Sequence, residues 1–413
     1  MKFLLQAFLK KVVKQLFTRA IPKQRAVGWN ILTRFCIHCP IRGGMAMMTI
    51  SLCMIVKNEE DVLARCLDCV QGIADEIVIV DTGSTDRTKE IAGEYTDKVY
   101  DFEWIDDFAA ARNFSFSKAS CDYILWLDAD DVLFEEDRQR FVELKQTLSD
   151  SIDMVLMKYN IAFDSGGRPT FSYYRERLFK RSRNYRWVGR IHEVIEPSGS
   201  RIYSSIAVSH KKMHPNEPMR NLRIFEKMVA EGVELDPRQQ YYYGRELMYN
   251  GRYRDSIKIL EAFLEGGQGW IENCVGACGD IARCWYALGE ERKALYSLLR
   301  SMEYDEPRAE FCCDLGSHFY DRGDYHTAIF WYELATTRTP KGENGGFEQP
   351  DCYGYRPFLQ LCVCYDRLGE HEKAALYNEK AGILKPDDPA VAFNRSYFAR
   401  LRAGAEKEEP NEV

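Results

Sequence analysis

From residue 49 the chain alternates between short apolar runs and longer amphipathic stretches. Residues 50–56, 76–81, 98–102 and 123–127 are rich in Ile, Val, Leu and Tyr and predict buried strands. Residues 61–70, 87–95 and 108–119 space their apolar side chains three and four apart and predict the helices between them. The turn Thr82-Gly83-Ser84-Thr85-Asp86 opens the second of these helices, with Ser84 or Thr85 expected as its N-cap. Such alternation predicts βαβ units. A last apolar strand at 206–209 ends at His210, and past Pro215 and Pro218 helical periodicity takes over.

The helical stretch repeats. Gly251, Gly289, Gly323 and Gly369 stand 38, 34 and 46 residues apart, the long step reflecting an insertion at 341–352. Five residues after each glycine comes Ser256, Ala294, Ala328 or Ala374, and seven further on Phe263, Ser301, Ala335 or Ala381. This pattern resembles the tetratricopeptide repeat, in which glycine makes the tight turn and small residues let paired helices approach. Residues 219–231 read as an adaptor helix, and Tyr241, Tyr242, Tyr243, Trp331 and Tyr332 are expected mainly in the repeat core. The concave face is open to three uses: a peptide acceptor, a second copy forming a homodimer, or cover for the sheet domain. The expected division is 1–47 extension, 48–216 sheet domain, 217–400 repeat domain and 401–413 charged tail.

Composition refines this. At 46% hydrophobic and 29% charged the chain has material for full cores, which excludes disordered and collagen-like classes. A net charge of −7 argues against a surface built for nucleic acid. Residues 1–44 hold nine basic residues and no acid, which leaves −16 on the remainder. Their amphipathic spacing suits a membrane-surface helix. The preferred expectation is a spurious extension ahead of Met45, because Arg42-Gly43-Gly44 is what a translated ribosome-binding site would spell. Membrane contact, peripheral on the inner face, is expected only if the extension is real; otherwise the expectation is a cytoplasmic protein. The 14 cysteines have no framework spacing and are expected as reduced thiols, and Cys36/Cys39 with Cys66/Cys69 are not read as a zinc site.

The chemistry concentrates where the strand at 123–127 runs into Asp128-Ala129-Asp130-Asp131. Carboxylates crowded at a buried strand end call for a cation, and a hard divalent ion shared with a phosphate fits best. Asp81 ends the neighbouring strand in the same manner. The segments 53–60, 80–86 and 127–131 together resemble the three successive signatures of family 2 glycosyltransferases. The resemblance implies an α/β GT-A domain (a Rossmann-like mixed sheet) followed by an all-α tetratricopeptide-type solenoid. It also implies a nucleotide-diphospho-sugar donor, taken to be a UDP-sugar, with Mn²⁺ or Mg²⁺. On this resemblance Val56, Asn58 and Glu59 line the nucleotide pocket with Ser84, Asp81 contacts the base, and Asp128 and Asp130 meet the ribose and the metal–diphosphate. Arg112 reads equally as a pocket residue or a solvated one.

Seven basic residues between Arg175 and Arg190, Arg177 among the expected donor contacts, mark either an anion site or a charged edge strand. They lead into Gly189-Arg190-Ile191-His192-Glu193, which resembles the acceptor-side segment of the same enzymes. An inverting transfer needs one base, for which Glu193 is expected and His192 is second. His210 reads as a further metal ligand beside Asp130 and Asp128, or as a strand-end cap. Domain order resembles bacterial peptide and protein glycosyltransferases, including those that modify a cysteine of a secreted bacteriocin, so the acceptor is expected to be a peptide, protein or saccharide. Two other classes are carried forward: a sugar nucleotidyltransferase, and a non-catalytic repeat scaffold with a degenerate transferase domain.

Overall fold

The computed structural model describes residues 48–405, apart from 165, 214–216 and 341–348. The amphipathic extension, the Cys36/Cys39 pair, most of the expected insertion and the last eight residues lie outside the described residues. The first half is built from β1 (Ile50–Val56), α1 (Leu63–Cys69), β2 (Glu76–Asp81), α2 (Thr88–Tyr95), β3 (Val99–Asp101), α3 (Phe108–Ser117), β4 (Tyr123–Trp126), β5 (Asp131–Val132), α4 (Glu135–Thr147), β6 (Met154–Phe163), β7 (Pro169–Lys180), β8 (Trp187–Val188), β9 (Val194–Ile195) and β10 (Arg201–His210).

Eight strands form one sheet in the order β3-β2-β1-β4-β7-β6-β10-β5. β3, β2, β1 and β4 run parallel, while β7 is antiparallel to both β4 and β6. The sheet is therefore mixed and GT-A-like, as expected. The edge-strand alternative for the basic run fails where the run is in β7: that strand lies between β6 and β4, paired with β4 at Leu178–Lys180, and Arg181 to Arg190 follow beyond its end. The expected cap also differs. α2 has no side-chain cap at its N-cap residue Arg87. Ser84 instead accepts a bond from the Asn58 amide (2.9 Å), and Asp86 takes the Thr88 amide (3.0 Å).

Parallel pairing brings chemically useful residues to one edge. Val56 lies in register with Asp81 across β1 and β2, and β4 delivers Asp128 beside them. In open sheets the carboxyl ends of strands are where ligands bind. Ile50, Leu52, Met54, Leu125 and Val155 are fully buried beneath that edge and hold it rigid.

The second half is all helix: α5 (Arg220–Ala230), α6 (Pro237–Tyr249), α7 (Tyr253–Glu265), α8 (Ile271–Ala287), α9 (Glu291–Arg300), α10 (Ala309–Tyr320), α11 (Tyr325–Thr336), α12 (Tyr355–Arg367), α13 (His371–Leu384) and α14 (Pro389–Ala405). Helices α6 to α13 form four antiparallel pairs, and each of the four expected turn glycines has φ between 71° and 77°, a conformation that penalises any Cβ. Ser256, Ala294, Ala328 and Ala374 are completely buried between paired helices. At Gly316 a Cβ would sit 2.6 Å from the Tyr332 ring, so α10 and α11 pack too closely for any larger residue. Among the described residues no helix is long and apolar enough to cross a membrane.

Candidate active site

β10 runs past the sheet edge to pair with β5, which sets His210 opposite Asp131. His210 Nδ1 lies 3.1 Å from Asp130 Oδ1 and 3.7 Å from Asp131 Oδ1, and 3.1 Å from the Tyr159 hydroxyl. Burial pulls the His210 imidazole down, but the neighbouring Asp130 and Asp131 carboxylates outweigh it and lift the group to about 9. One ligand atom from each of Asp130, Asp131 and His210 falls within 4.8 Å of the others. Asp131 Oδ1 is buried and forms no hydrogen bond. Two carboxylates and an imidazole, one oxygen still unpartnered, fit a divalent cation.

The cluster differs from the expected one by a residue: Asp131 stands in it and Asp128 does not. Asp128 Oδ1 accepts from Arg112 Nη2 at 2.8 Å, while Arg112 Nε donates to Glu193 Oε1 at 2.6 Å. Arg112 is 7% exposed, on α3, with its guanidinium over the rings of Trp126 and Trp187 (4.8 and 5.1 Å). The solvated alternative for Arg112 is therefore wrong. Burial alone would raise the Asp128 carboxyl, but Arg112 and then Arg177 hold it below the ordinary range.

Arg177 is not at the donor surface. It is fully buried, its Nη1 bonded to Asp131 Oδ2 (3.0 Å) and to the Trp126 carbonyl (3.2 Å), with its guanidinium against the rings of Trp126 and Tyr159. Its role is to brace the Asp131 loop. The β6–β7 register shifts between Val155/Leu178 and Leu156/Glu176, so Arg177 is an extra residue in a bulge. Arg175, two residues earlier, lines the cavity instead.

That cavity has a volume of about 760 Å³. Its sheet side is lined by Val56, Glu59, Thr82, Arg112, Asp128, Asp130, His192, Glu193 and His210. Asn58, Ser84 and Asp81 are not on its wall. Asn58 and Ser84 tie two loops together, with Asn58 Oδ1 also accepting from the Thr85 amide at 2.8 Å. Asp81 Oδ2 accepts the amides of Gly83 and Ser84 (3.0 and 2.9 Å), while its Oδ1 is buried without a partner.

Sequence reasoning missed the far wall. Tyr242, Arg245 and Glu246 of α6 line the same cavity. His192 has φ 50°, left-handed backbone that a β-carbon disfavours. Its ring stacks on Tyr242 with centroids 4.2 Å apart, and its Nε2 donates to Glu246 Oε1 at 2.9 Å. Asn221 of α5 donates to the same Glu246 oxygen at 3.0 Å. Tyr241 and Tyr243 are core as expected, and Tyr242, half-buried, packs against that core and also lines the cavity. The signal available in the sequence was a Glu among aromatic residues on an otherwise core-facing helix.

Residues 51–204 match the family model for glycosyl transferase family 2. A TPR repeat-containing protein of Synechococcus elongatus is 38% identical over 156 residues, 38% of this chain and 37% of that one. The glycosyltransferase SunS of Bacillus subtilis is 27% identical over 230 residues, 52% of each chain. Glucosyl-3-phosphoglycerate synthase from Mycobacterium tuberculosis, solved with Mn²⁺, uridine-diphosphate and phosphoglyceric acid, covers 27% of this chain and 43% of its own at 22% identity and a TM-score of 0.24. The chain thus spans about half, or less, of the length of the curated relatives it matches.

Proposed function

Residues 51–204 being a family 2 glycosyltransferase domain followed by tetratricopeptide-type repeats, we propose that the protein moves a sugar from a nucleoside-diphosphate donor to a peptide, protein or saccharide acceptor, with inversion. One observation carries this: the Asp130–His210 pair, the Asp128–Arg112–Glu193 bridge and the end of β1 all face one cavity. The donor class is taken as a UDP-sugar from the family resemblance, with Val56, Glu59 and Thr82 lining the cavity beside the end of β1 and β2.

Asp130, Asp131 and His210 would hold a divalent ion, Mn²⁺ or Mg²⁺, which when bound supplies positive charge to a departing diphosphate. Arg112 fixes Asp128 on the donor side and Glu193 on the acceptor side in one rigid unit, so both are oriented before substrate arrives. Glu193 takes the acceptor's proton at Oε2 while Arg112 Nε steadies Oε1. His192 acts as a positioning residue: Glu246 and Tyr242 pin it, and it sets the loop that carries Glu193.

A thermal-shift screen of UDP- and GDP-sugars with and without Mn²⁺ tests this, because ligands of the folded state raise its melting temperature. The expected result is a Mn²⁺-dependent rise for one nucleotide class, abolished in Asp130→Ala, with Glu193→Gln retaining the rise and losing transfer. A silent screen favours the scaffold reading, and pyrophosphate release from a nucleoside triphosphate favours a nucleotidyltransferase.

A further inference from the structure

Among the described residues, three guanidiniums surround the indole of Trp126, and they are not employed alike. Arg112 stands 4.8 Å, Arg175 5.1 Å and Arg177 3.9 Å from a ring centre of that residue. Arg112 bonds Asp128 and Glu193, and Arg177 bonds Asp131, at 2.6–3.0 Å. The carboxylate that reaches Arg175 is Glu176, whose Oε2 lies 3.9 Å from Nε, at the limit of an ion pair and beyond hydrogen-bond length. Glu176 is not on the cavity wall, whereas Arg175 is.

Arg175 Nε is buried and makes no hydrogen bond. Burial pulls the guanidinium down, but Tyr173, Glu176, Glu193 and Tyr242 around it outweigh that and keep it charged. A buried cation with an unused N–H costs stability, and an anion entering the cavity removes that cost. The neighbours fix where such an anion would lie. Tyr173, Glu193 and Tyr242 line the same cavity, so it would sit beside the carboxylate assigned as base. Arg238 of α6 adds a second positive charge to this part of the wall. It stands 4.8 Å from the Tyr242 ring centre, and its Nε and Nη2 reach only a carbonyl, that of His192, each at 3.4 Å.

We propose that Arg175 anchors an anion subsite beside Glu193, which selects a substrate carrying a carboxylate or a phosphate close to the reacting atoms. A guanidinium fork matches the paired oxygens of either group, and a neutral hydroxyl leaves the charge uncompensated. The anion belongs to the acceptor, near its attacking atom, or to the transferred sugar; both present the same chemistry to Arg175. The inference rests on the transferase reading for the roles of the two substrates, but the charge preference it describes is a property of binding alone.

The test uses the full chain with Mn²⁺ and isothermal titration calorimetry. In one arm, with UDP saturating, glucuronate and glucose 6-phosphate are compared with neutral methyl glucoside. In the other, UDP-glucuronate is compared with UDP-glucose. The acidic ligand is expected to bind at least about tenfold more tightly in one arm, the scale of a hydrogen bond to a charged group, and the arm identifies which substrate carries the anion. Arg175→Met should erase that preference while UDP–Mn²⁺ binding is unchanged. Arg175→Lys keeps the charge but lacks the fork, so it should retain only part of the preference, and it serves as the readout if Arg175→Met fails to fold. No acidic preference in either arm overturns the proposal, as does a preference that survives both variants. Loss of UDP binding in Arg175→Met would make Arg175 a diphosphate contact and overturn it as well. Absence of UDP–Mn²⁺ binding by the unaltered protein would instead overturn the donor reading, and the first arm is then read without nucleotide.

Discussion

The two ends of the cavity treat charge in opposite ways. At the strand ends each acid facing the reaction has a bonded cation: Asp128 and Glu193 share Arg112, Asp131 takes Arg177, and Asp130 takes His210. Along the helices, Asp280 and Asp314 stand in looser ion pairs with guanidiniums at 3.3–3.8 Å, and Asp280 Oδ2 has no hydrogen bond. In the first, the Asp128–Arg112–Glu193 bridge is made before any ligand binds, as electrostatic preorganisation requires, while Asp131 Oδ1 stays open to a cation. The second is held by longer ion pairs. One fold thus supplies a tightly bridged chemical end and a more loosely paired helical end.

The largest expected effect comes from cutting the bridge that finishes the first end. Arg112→Met leaves the nearly buried Glu193 carboxylate and the part-exposed Asp128 carboxylate unpaired and should lower unfolding stability in urea by about 2–4 kcal/mol. Donor turnover should fall with it, and Arg112→Lys should not rescue it, because one ammonium lacks the fork that reaches both acids. Stability close to that of the unaltered protein would break the contrast.

Next comes the contact through which the helices reach the chemistry. Glu246→Gln keeps the shape but replaces the charge-assisted bond to His192 with a weaker neutral one, and should lower kcat by up to about tenfold with donor affinity unchanged. A drop in donor affinity instead would place Glu246 in the nucleotide site.

Smaller is a pH effect confined to the helices. Burial, and then Arg322, depress the His318 imidazole to about 4, and the Tyr286 hydroxyl donates to its Nδ1 at 2.6 Å. An unfolded histidine titrates near 6.5. The folded state therefore resists a proton that the unfolded state accepts, and stability falls as pH drops from about 6.5 through 4. The melting temperature should be lower at pH 5 than at pH 7 by a few degrees, and His318→Gln should flatten that difference.

The strand ends were legible because apolar runs have to be buried, and Asp81 and Asp128 each follow one directly. The repeat was legible because four turns need a glycine with positive φ and four contacts need a small residue. Arg112 was not, since its partners lie 16 and 81 residues away and nothing local distinguishes it from a surface arginine. Arg177 misled for a different reason: strand alternation puts it with Arg175, and the bulge that separates them leaves no mark in the residue pattern. Glu246 and Asp280 were hidden in helices whose periodicity assigns them only to a face. What that face meets depends on how the solenoid returns to the sheet.

The central claim is that Asp130, Asp131 and His210 bind the cation that carries the donor's diphosphate. Electron paramagnetic resonance of Mn²⁺ titrated into the protein with UDP reads this directly. One tightly bound ion per chain is predicted, requiring UDP for full affinity and lost in Asp130→Asn while Asp128→Asn retains ion binding. Equal Mn²⁺ binding by the unaltered protein and Asp130→Asn, or no bound ion in either, would contradict it.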